Sequence, residues 1–414
     1  MYDEFTLPNG LRVIAEKIPH FRSVSLGLWV GTGSMQEAPN ENGLSHFIEH
    51  MLFKGTEKRS AMQIAEEMDA IGGQMNAFTS KECTCYYAKV IDEHFEKAFD
   101  LLSDMLLHAT FNPEDLEKER GVILEEIAMT EDTPEDLAYE LLSEAYFADH
   151  ALARPILGPA DVIRSVSREQ LLTFHHRHYR PDNTVLSVAG GYDLEQLRAL
   201  AQRFLGDWKE PVHPLRQEAF SGCAAGVKTK CKDIEQVHLC FGYQGIPMGT
   251  DDAYPLSVFN NILGGGMSSR LFQKIREEMG AAYSVYTYPT SYPGCGVYAI
   301  YAGTSIEQAQ DVIDEIQNQV NHFLKDGFTD KEFLQARNQL KGGYILGLES
   351  TSSRMSSIGR SKLLLGYANE IDNVVEKIER VTREDVMNIA QRILKGPYAA
   401  SAVGRKVDTL NLKH

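Results

Sequence analysis

The sequence predicts an α+β protein made of two duplicated domains, and three observations support this prediction. The chain has 414 residues, which is too long for one ordinary hydrophobic core. Two segments of similar sequence lie roughly 200 residues apart, an offset too long for a solenoid repeat. Each segment alternates strand-like and helix-like stretches in the same coarse order. We therefore expect two homologous domains, each an antiparallel-rich sheet packed with helices.

The repeat is visible in short matched stretches. Three of the pairs are Leu44–Met51 with Leu256–Leu263, Phe111–Arg120 with Phe328–Arg337, and Val166–Glu169 with Val381–Glu384. Between the copies, residues 208–232 have the prolines and mixed polarity of a linker. The predicted domains are therefore 1–207 and 233–414, with the linker at 208–232.

The strands and helices of the first copy can be predicted in order. Ser23–Val30 alternates like a half-buried strand. Ser60 forms a capping box with Gln63, and the helix that follows is expected to end at the glycine pair 72–73. Thr84–Val90 returns to a strand pattern. Each copy closes with a short strand of small and β-branched residues, Val185–Gly190 in the first and Tyr398–Gly404 in the second.

A His-x-x-Glu-His motif at His46, Glu49 and His50 is the first sign of chemistry. Residues four apart on an α-helix lie on the same face, so both imidazoles can reach one ion. Glu49 is adjacent and can reach a water molecule on that ion. The order is the reverse of the commoner His-Glu-x-x-His zinc motif.

A catalytic zinc usually takes three protein ligands, so the motif needs a third. A helix is predicted from Pro113 onward, and Glu119 and Glu126 stand seven residues apart on one of its faces. One of these two can bind the metal while the other holds a ligand imidazole in position. Periodicity alone leaves Glu125 open as well.

The second copy lacks all five candidate site residues, which in the first copy are His46, Glu49, His50, Glu119 and Glu126. The five positions are occupied there by Val258, Asn261, Ile262, Ala336 and Gly343. Joint loss in one copy and joint retention in the other is what we expect if these positions form one functional unit in the first domain.

These motifs resemble those of the inverzincin zinc peptidases of the pitrilysin and mitochondrial processing peptidase family, in its small two-domain bacterial form. The resemblance covers nearly the whole chain. Beyond the metal motif and the Glu119/Glu126 spacing, it extends through Gly72–Thr79, Leu263–Phe272 and Ile275–Ser284.

The resemblance implies a role for each matching residue. It implies that His46, His50 and Glu126 bind one zinc ion per chain. Glu49 would be the catalytic base and Glu119 a supporting carboxylate. The implied substrate-binding edge strand contains Asn76, Ala77, Phe78 and Thr79, and Arg276 and Tyr283 would contact the substrate from the second domain.

By this resemblance, the chain is half of a clamshell that encloses its substrate. Since it carries both the zinc motif and the Arg/Tyr pair, we expect a homodimer that cleaves unfolded peptides or oligopeptides, including basic or leader-type peptides. Three other hypotheses about the function remain: a catalytic subunit that needs a separate partner, a non-catalytic structural subunit of the respiratory-complex core type, and a metal-binding module without catalysis.

Composition adds constraints. The formal net charge of −17 argues against nucleic acid as a partner and favours basic ligands. No apolar run is long enough to span a membrane and the start lacks a signal-peptide pattern, so no membrane partner and a cytoplasmic location are expected. The histidine-rich stretch at 175–178 is interpreted as positive charge at a helix C-terminus rather than as a second metal site.

Overall fold

The computed structural model describes residues 2–213 and 219–413. Residues 214–218, part of the predicted linker, lie outside the described residues. The strands are β1 (Asp3–Thr6), β2 (Arg12–Lys17), β3 (Ser23–Val30), β4 (Gln74–Thr79), β5 (Thr84–Ile91), β6 (Thr184–Gly190), β7 (Val227–Cys231), β8 (Gln236–Gln244), β9 (Ala282–Tyr292), β10 (Cys295–Ser305) and β11 (Tyr398–Gly404).

The helices are α1 (Leu44–Leu52), α2 (Ala61–Ala70), α3 (Phe95–His108), α4 (Pro113–Asp132), α5 (Pro134–Phe147), α6 (Ala160–Ser165), α7 (Arg168–His178), α8 (Leu194–Leu205), α9 (Ala253–Leu263), α10 (Ala309–Asp326), α11 (Asp330–Gly347), α12 (Thr351–Leu365), α13 (Ile371–Arg380) and α14 (Arg383–Leu394). A π-helical stretch covers Phe272–Glu278. Among the described residues, no helix has the length and apolar character needed to cross a bilayer.

The chain forms two compact units, and neither is continuous in sequence. Of the described residues, the first unit contains 2–127, 155–213 and 346–370, and the second contains 128–154, 219–345 and 371–413. The units therefore differ from the predicted continuous ranges, because each includes one segment from the other copy's part of the chain.

The first unit contains a mixed sheet with the strand order β1-β2-β6-β3-β5-β4. β2 pairs with β6 in parallel, and the other neighbours are antiparallel. The predicted strand Ser23–Val30 and the Ser60 capping box are both confirmed. β4 lies at the edge of the sheet, where one side of its backbone has no neighbouring strand among the described residues.

The second unit repeats this topology. Its sheet has the order β7-β11-β8-β10-β9, which matches β2-β6-β3-β5-β4 position for position. The single parallel pair, β7 with β11, also corresponds to β2 with β6. The predicted α+β fold with two duplicated sheets is thus confirmed at the level of strand pairing.

Matching arginines make matching contacts in the two copies. The guanidinium of Arg168, at the start of α7, donates to the backbone oxygen of Phe111 just before α4. Arg383, at the start of α14, donates to the backbone oxygen of Phe328 just before α11. In the first copy this contact holds the start of α7 against the start of α4. In the second copy it holds the start of α14 against the start of α11.

The prediction that β3 is half-buried is wrong, since seven of its eight residues are buried. The reason is α12, a helix from residues 346–370, which covers the second face of the first sheet. Trp29 packs there with Met355 and Ile358, and its indole N–H donates to the Ser187 hydroxyl at 2.8 Å. A Cβ on Gly359 would lie 2.3 Å from Nε1 of Trp29, so the close packing requires glycine.

In the second unit α5 occupies the corresponding position on its sheet. The Ser401 hydroxyl on β11 donates to the Ala138 backbone oxygen on α5 at 2.6 Å. The Tyr146 hydroxyl donates to the Gly296 backbone oxygen at 2.8 Å. Each sheet is therefore covered on one face by the segment that the linear division assigned to the other copy.

The histidine-rich end of α7 also differs from the expectation. The helix ends at His178 as predicted, but its histidines do not all carry positive charge. Burial, with a smaller effect of nearby cationic or imidazole groups, lowers the pKa of both His175 and His178 to about 3. Both rings are therefore neutral near pH 7; His178 is buried and His175 is partly buried.

Candidate metal centre

Helix α1 presents the His-x-x-Glu-His motif, and a buried carboxylate holds its N-terminus. Glu37 is fully buried and accepts hydrogen bonds from the backbone N–H groups of Gly43 and Ser45, each at 2.8 Å. The side-chain amide of Asn42 donates to the same carboxylate at 2.9 Å. These bonds satisfy backbone donors that have no partner within the helix, and they fix where α1 begins.

Gly43 precedes α1 with φ of +101°, a left-handed conformation that favours glycine. A Cβ at this position would lie 2.6 Å from the backbone oxygen of Leu157 and 2.6 Å from Cδ1 of Ile163. The entry to α1 is therefore fixed both by backbone conformation and by close packing.

Helix α4 supplies the two glutamates, and Arg120 anchors it. The Arg120 guanidinium donates to the backbone oxygens of Ile163 and Val166, the second at 2.8 Å. Glu119 and Glu126 face α1, whereas Glu125 is exposed. The structure therefore decides among the glutamates that periodicity left open.

His46, His50 and Glu126 converge on one point. Oε2 of Glu126 lies 3.7 Å from Nε2 of His46 and 3.6 Å from Nε2 of His50. One ligand atom from each residue lies within 4.8 Å of the others. This is the only group of three or more potential metal-binding side chains found among residues 2–213 and 219–413.

The donor set and its spacing fit a zinc ion. With metal–ligand bonds of about 2.0–2.2 Å, tetrahedral ligand atoms are about 3.3–3.6 Å apart, close to the separations observed. Oε2 of Glu126 is buried and has no hydrogen-bond partner among the described residues. A buried carboxylate oxygen without a partner is costly unless a cation or a proton compensates it.

His46 is in the protonation state that a metal requires. Burial, followed by the proximity of His50, lowers the pKa of His46 to about 4, so its ring is neutral near pH 7. Nδ1 of His50 lies 3.0 Å from Oε2 of Glu119. An ionised carboxylate only accepts hydrogen bonds, so Nδ1 is the donor in this contact and Nε2 is the nitrogen that faces Glu126.

Glu119 is itself held by Lys54. The ammonium of Lys54 lies 2.7 Å from Oε1 of Glu119, and the Glu119 side chain is only 8% exposed. A chain of polar contacts thus runs from Lys54 through Glu119 to His50. The structure brings Glu119 behind a histidine and not among the three converging side chains.

Glu49 lies beside the two histidines on α1, and Thr79 contacts it. The Thr79 hydroxyl donates to Oε2 of Glu49 at 2.5 Å. Burial raises the pKa of Glu49, while the hydrogen bond from Thr79 opposes that shift. The carboxylate is therefore partly desolvated but retains one fixed donor.

The predicted substrate residues form the outer strand β4. Its alternate residues Asn76 and Phe78 are exposed, whereas Ala77 and Thr79 are turned towards the interior of the unit. The side-chain oxygen of Asn76 accepts from the backbone N–H of Ala77 at 2.8 Å. The edge position is confirmed, and peptide binding at these four residues stays a prediction.

In the second unit the corresponding positions form no polar site. Val258, Ile262 and Ala336 are buried in the core of that unit. The amide of Asn261, which corresponds to Glu49, donates to the backbone oxygen of Ala336 at 3.2 Å. Apolar packing and this hydrogen bond from a side-chain amide thus connect α9 and α11 there.

Arg276 and Tyr283 lie together in the second unit. The guanidinium of Arg276 is 5.1 Å from the centroid of the Tyr283 ring. Tyr283 is 74% exposed, so it is not a core aromatic. Arg276 also lines a cavity of about 410 Å³ together with Gly264–Gly266. The pair therefore presents a cation and a phenol to solvent.

Sequence reasoning missed Glu37, Lys54 and the hydroxyl role of Thr79. Glu37 precedes α1 by only a few residues, so a search for acids before the helix would have found it. Strand alternation places Thr79 on the same face as Met75 and Ala77, which was a usable signal for an inward side chain. Lys54 follows α1 directly and carries no pattern of its own.

The sequence matches two family profiles. Residues 12–160 match the Insulinase (Peptidase family M16) domain, and residues 165–340 match the Peptidase M16 inactive domain. The second description agrees with the absence of the five metal-site residues from the second copy.

Curated relatives are similar over nearly their whole length. The chain is 42% identical to the uncharacterized zinc protease YmxG of Bacillus subtilis, over 97% of this chain and 98% of that protein. It is 41% identical to the uncharacterized zinc protease SCO5738 of Streptomyces coelicolor, over 96% of this chain and 88% of that protein.

Solved structures share the fold. A protease from Helicobacter pylori superimposes with a TM-score of 0.91 at 20% identity, over 98% of this chain and 99% of that one. A peptidase M16 inactive domain structure from Pseudomonas fluorescens gives 0.92 at 21% identity, over 98% of each chain.

Proposed function

Since the chain belongs to peptidase family M16, we propose that it is a zinc-dependent endopeptidase that hydrolyses unfolded peptides or oligopeptides. One observation carries the proposal most directly. Two imidazoles and a carboxylate oxygen that has no hydrogen-bond partner among the described residues meet at one point, with a second carboxylate beside them. The names of the zinc protease relatives support zinc as the ion, one per chain.

His46, His50 and Glu126 would hold the ion, and Glu119 would fix the ring of His50. A zinc ion bound in this way supplies Lewis acidity, which makes water nucleophilic near neutral pH. Glu49 is the group that takes a proton from the attacking water. It then passes that proton to the leaving amine, as a general base followed by a general acid.

The edge strand β4 would bind the substrate. An extended peptide can pair with the outer backbone groups of an edge strand, which gives affinity with little demand on side-chain identity. The amide of Ala77 is already occupied by Asn76, so the Asn76 side chain would have to rotate for a peptide to pair there.

Arg276 and Tyr283 would contact the substrate from the second unit. Because one chain carries both the metal motif and this pair, we propose a homodimer that encloses the peptide in a chamber. The net charge of −17 supports a preference for basic or leader-type peptides. A cytoplasmic location stays a prediction of the sequence.

The test is cleavage of a mixed peptide library by the purified zinc-loaded protein, with and without a chelator, analysed by mass spectrometry. We expect cuts that disappear with the chelator and return with zinc. Glu49→Gln should keep zinc and lose turnover by orders of magnitude. Glu126→Gln should lose zinc, and Glu125→Gln, the exposed neighbour on the same helix, is its matched control.

The outcome also separates the alternatives. Cleavage only after a second protein is added would indicate a heteromeric processing peptidase. Retained zinc without any cleavage of the library would favour a structural or metal-binding role. A monomeric mass in solution with full activity would contradict the homodimer.

A further inference from the structure

The hydroxyl of Thr79 connects the substrate strand to the proposed base. Thr79 is the last residue of β4, and it pairs with Thr84, the first residue of β5. Its hydroxyl lies 2.5 Å from Oε2 of Glu49 on α1. The contact therefore joins two elements with different proposed tasks, peptide binding and proton transfer.

The hydroxyl protons in this region can be assigned. The Thr84 hydroxyl donates to the backbone oxygen of Thr32 at 2.9 Å. Thr79 has one proton to donate, and its alternatives are Glu49 at 2.5 Å and the Thr84 oxygen at 3.4 Å. The carboxylate is closer and, when ionised, the stronger acceptor, so the proton of Thr79 goes to Glu49.

Thr79 is also well fixed in place. Its backbone is part of the β4–β5 ladder, and Thr84 on the neighbouring strand is fully buried. Ser80, the next residue, donates its backbone N–H to the oxygen of Cys83 at 2.8 Å and closes the turn between the strands. A β-branched side chain on a fixed backbone has few rotamers, so its hydroxyl has a defined direction.

We propose that Thr79 is a positioning residue, whose hydroxyl holds one oxygen of Glu49 so that the other oxygen is presented to the water that Glu49 activates. This inference rests on the proposed function, because it assigns Glu49 as the base. It also revises the expectation from the sequence, in which Thr79 was only one of four substrate-binding residues.

The proposal predicts a specific kinetic effect of losing the Thr79 hydroxyl. A group that orients the base acts on the chemical step and leaves peptide binding through the β4 backbone intact. Loss of the hydroxyl should therefore lower kcat with little change in KM. If Thr79 only packed against α1 or the peptide, its methyl group would matter as much as its hydroxyl.

The experiment compares Thr79→Val, which keeps the shape and removes the hydroxyl, with Thr79→Ser, which keeps the hydroxyl and removes the methyl. Thr79→Ala is a second variant without the hydroxyl, in case valine impairs folding. Each is zinc-loaded, its zinc content is measured, and kcat and KM are determined on one peptide that the unmodified protein cleaves. Crystal structures of Thr79→Val and Thr79→Ser report the Glu49 rotamer independently of activity.

We expect Thr79→Val and Thr79→Ala to lower kcat by about 10- to 100-fold, with KM within about twofold and zinc content unchanged. Thr79→Ser should stay within about threefold of the unmodified protein. In the Thr79→Val crystal structure, the Glu49 carboxylate should leave its original rotamer or occupy more than one.

Equal losses for serine and valine, a loss confined to KM, or an unchanged kcat for valine would each overturn the proposal. Failure of the proposed function would look different. The unmodified protein would then show no chelator-sensitive cleavage, or Glu49→Gln would remain fully active, whatever the Thr79 variants do.

Discussion

Replacement of Glu119 by glutamine tests the contact behind the metal site. Glutamine keeps the size of the side chain and an oxygen that can accept from Nδ1 of His50, so the tautomer and the ring position should persist. What it removes is the negative charge 3.0 Å from that nitrogen. The substitution therefore isolates the effect of charge on the ligand strength of His50.

The magnitude follows from the geometry. A hydrogen bond to a charged group contributes about 1.5–3 kcal/mol, and a neutral one about 0.5–1.5 kcal/mol. The difference is about 1–1.5 kcal/mol, which corresponds to roughly tenfold in a dissociation constant. Solvent screens the Glu119 charge weakly because the side chain is only 8% exposed. We therefore expect zinc to bind about 5- to 13-fold more weakly, near the lower end of the range usual for such partners.

The assay is a competition titration with a chromogenic chelator at fixed pH and ionic strength. Glu125→Gln is the control, since it removes the same charge from an exposed position of the same helix. A zinc affinity for Glu119→Gln within twofold of the control would refute the argument. Complete loss of zinc would instead show that Glu119 is a ligand.

Three further predictions follow from the structure. Gly43→Ala should destabilise the metal-free protein by about 2–3 kcal/mol in urea unfolding, because alanine tolerates positive φ poorly; an unchanged midpoint would contradict this. Burial alone would raise the pKa of Glu332, but hydrogen bonds from Arg270 and from the Thr329 backbone outweigh it and lower the pKa to about 2. Its ionised form therefore stabilises the fold above about pH 5, and the urea-midpoint difference from Glu332→Gln should shrink as pH falls from 5 to 3; a constant difference would refute this. Arg276→Met should raise the KM for peptides without changing zinc content. Lys274→Met removes a neighbouring cation and should leave KM unchanged. Equal KM values for the two variants would argue against substrate contact by Arg276.

Much of the fold could be predicted because the chain repeats itself. The repeat identified two copies of one sheet. Alternation located β3 to the residue, and a run of small and β-branched residues located β11 to the residue. The metal-site helix was also predictable, since the spacing of His46 and His50 is a local pattern, whereas the edge strand was implied by the family resemblance. The approach of Glu126 to the histidines needed the resemblance or the coordinates.

Long-range packing could not be predicted in the same way. The packing of α12 on β3 joins residues more than 300 positions apart. The periodicity of either segment does not indicate that it packs against the other. The neutral state of His175 depends on desolvation by its neighbours in the fold, which its position at a helix end does not reveal. The bond from Thr79 to Glu49 likewise depends on the angle between a strand and a helix.

The discontinuous units have a consequence for how this protein can be divided. A gene cut at the linker would encode two fragments, and each would lack the helix that covers one face of its own sheet. The N-terminal fragment would expose the indole of Trp29, and the C-terminal fragment would expose the β11 face now bonded to Ala138. We therefore expect co-expression of both fragments to be needed to recover the folded protein, because each fragment carries the helix that covers the other's sheet.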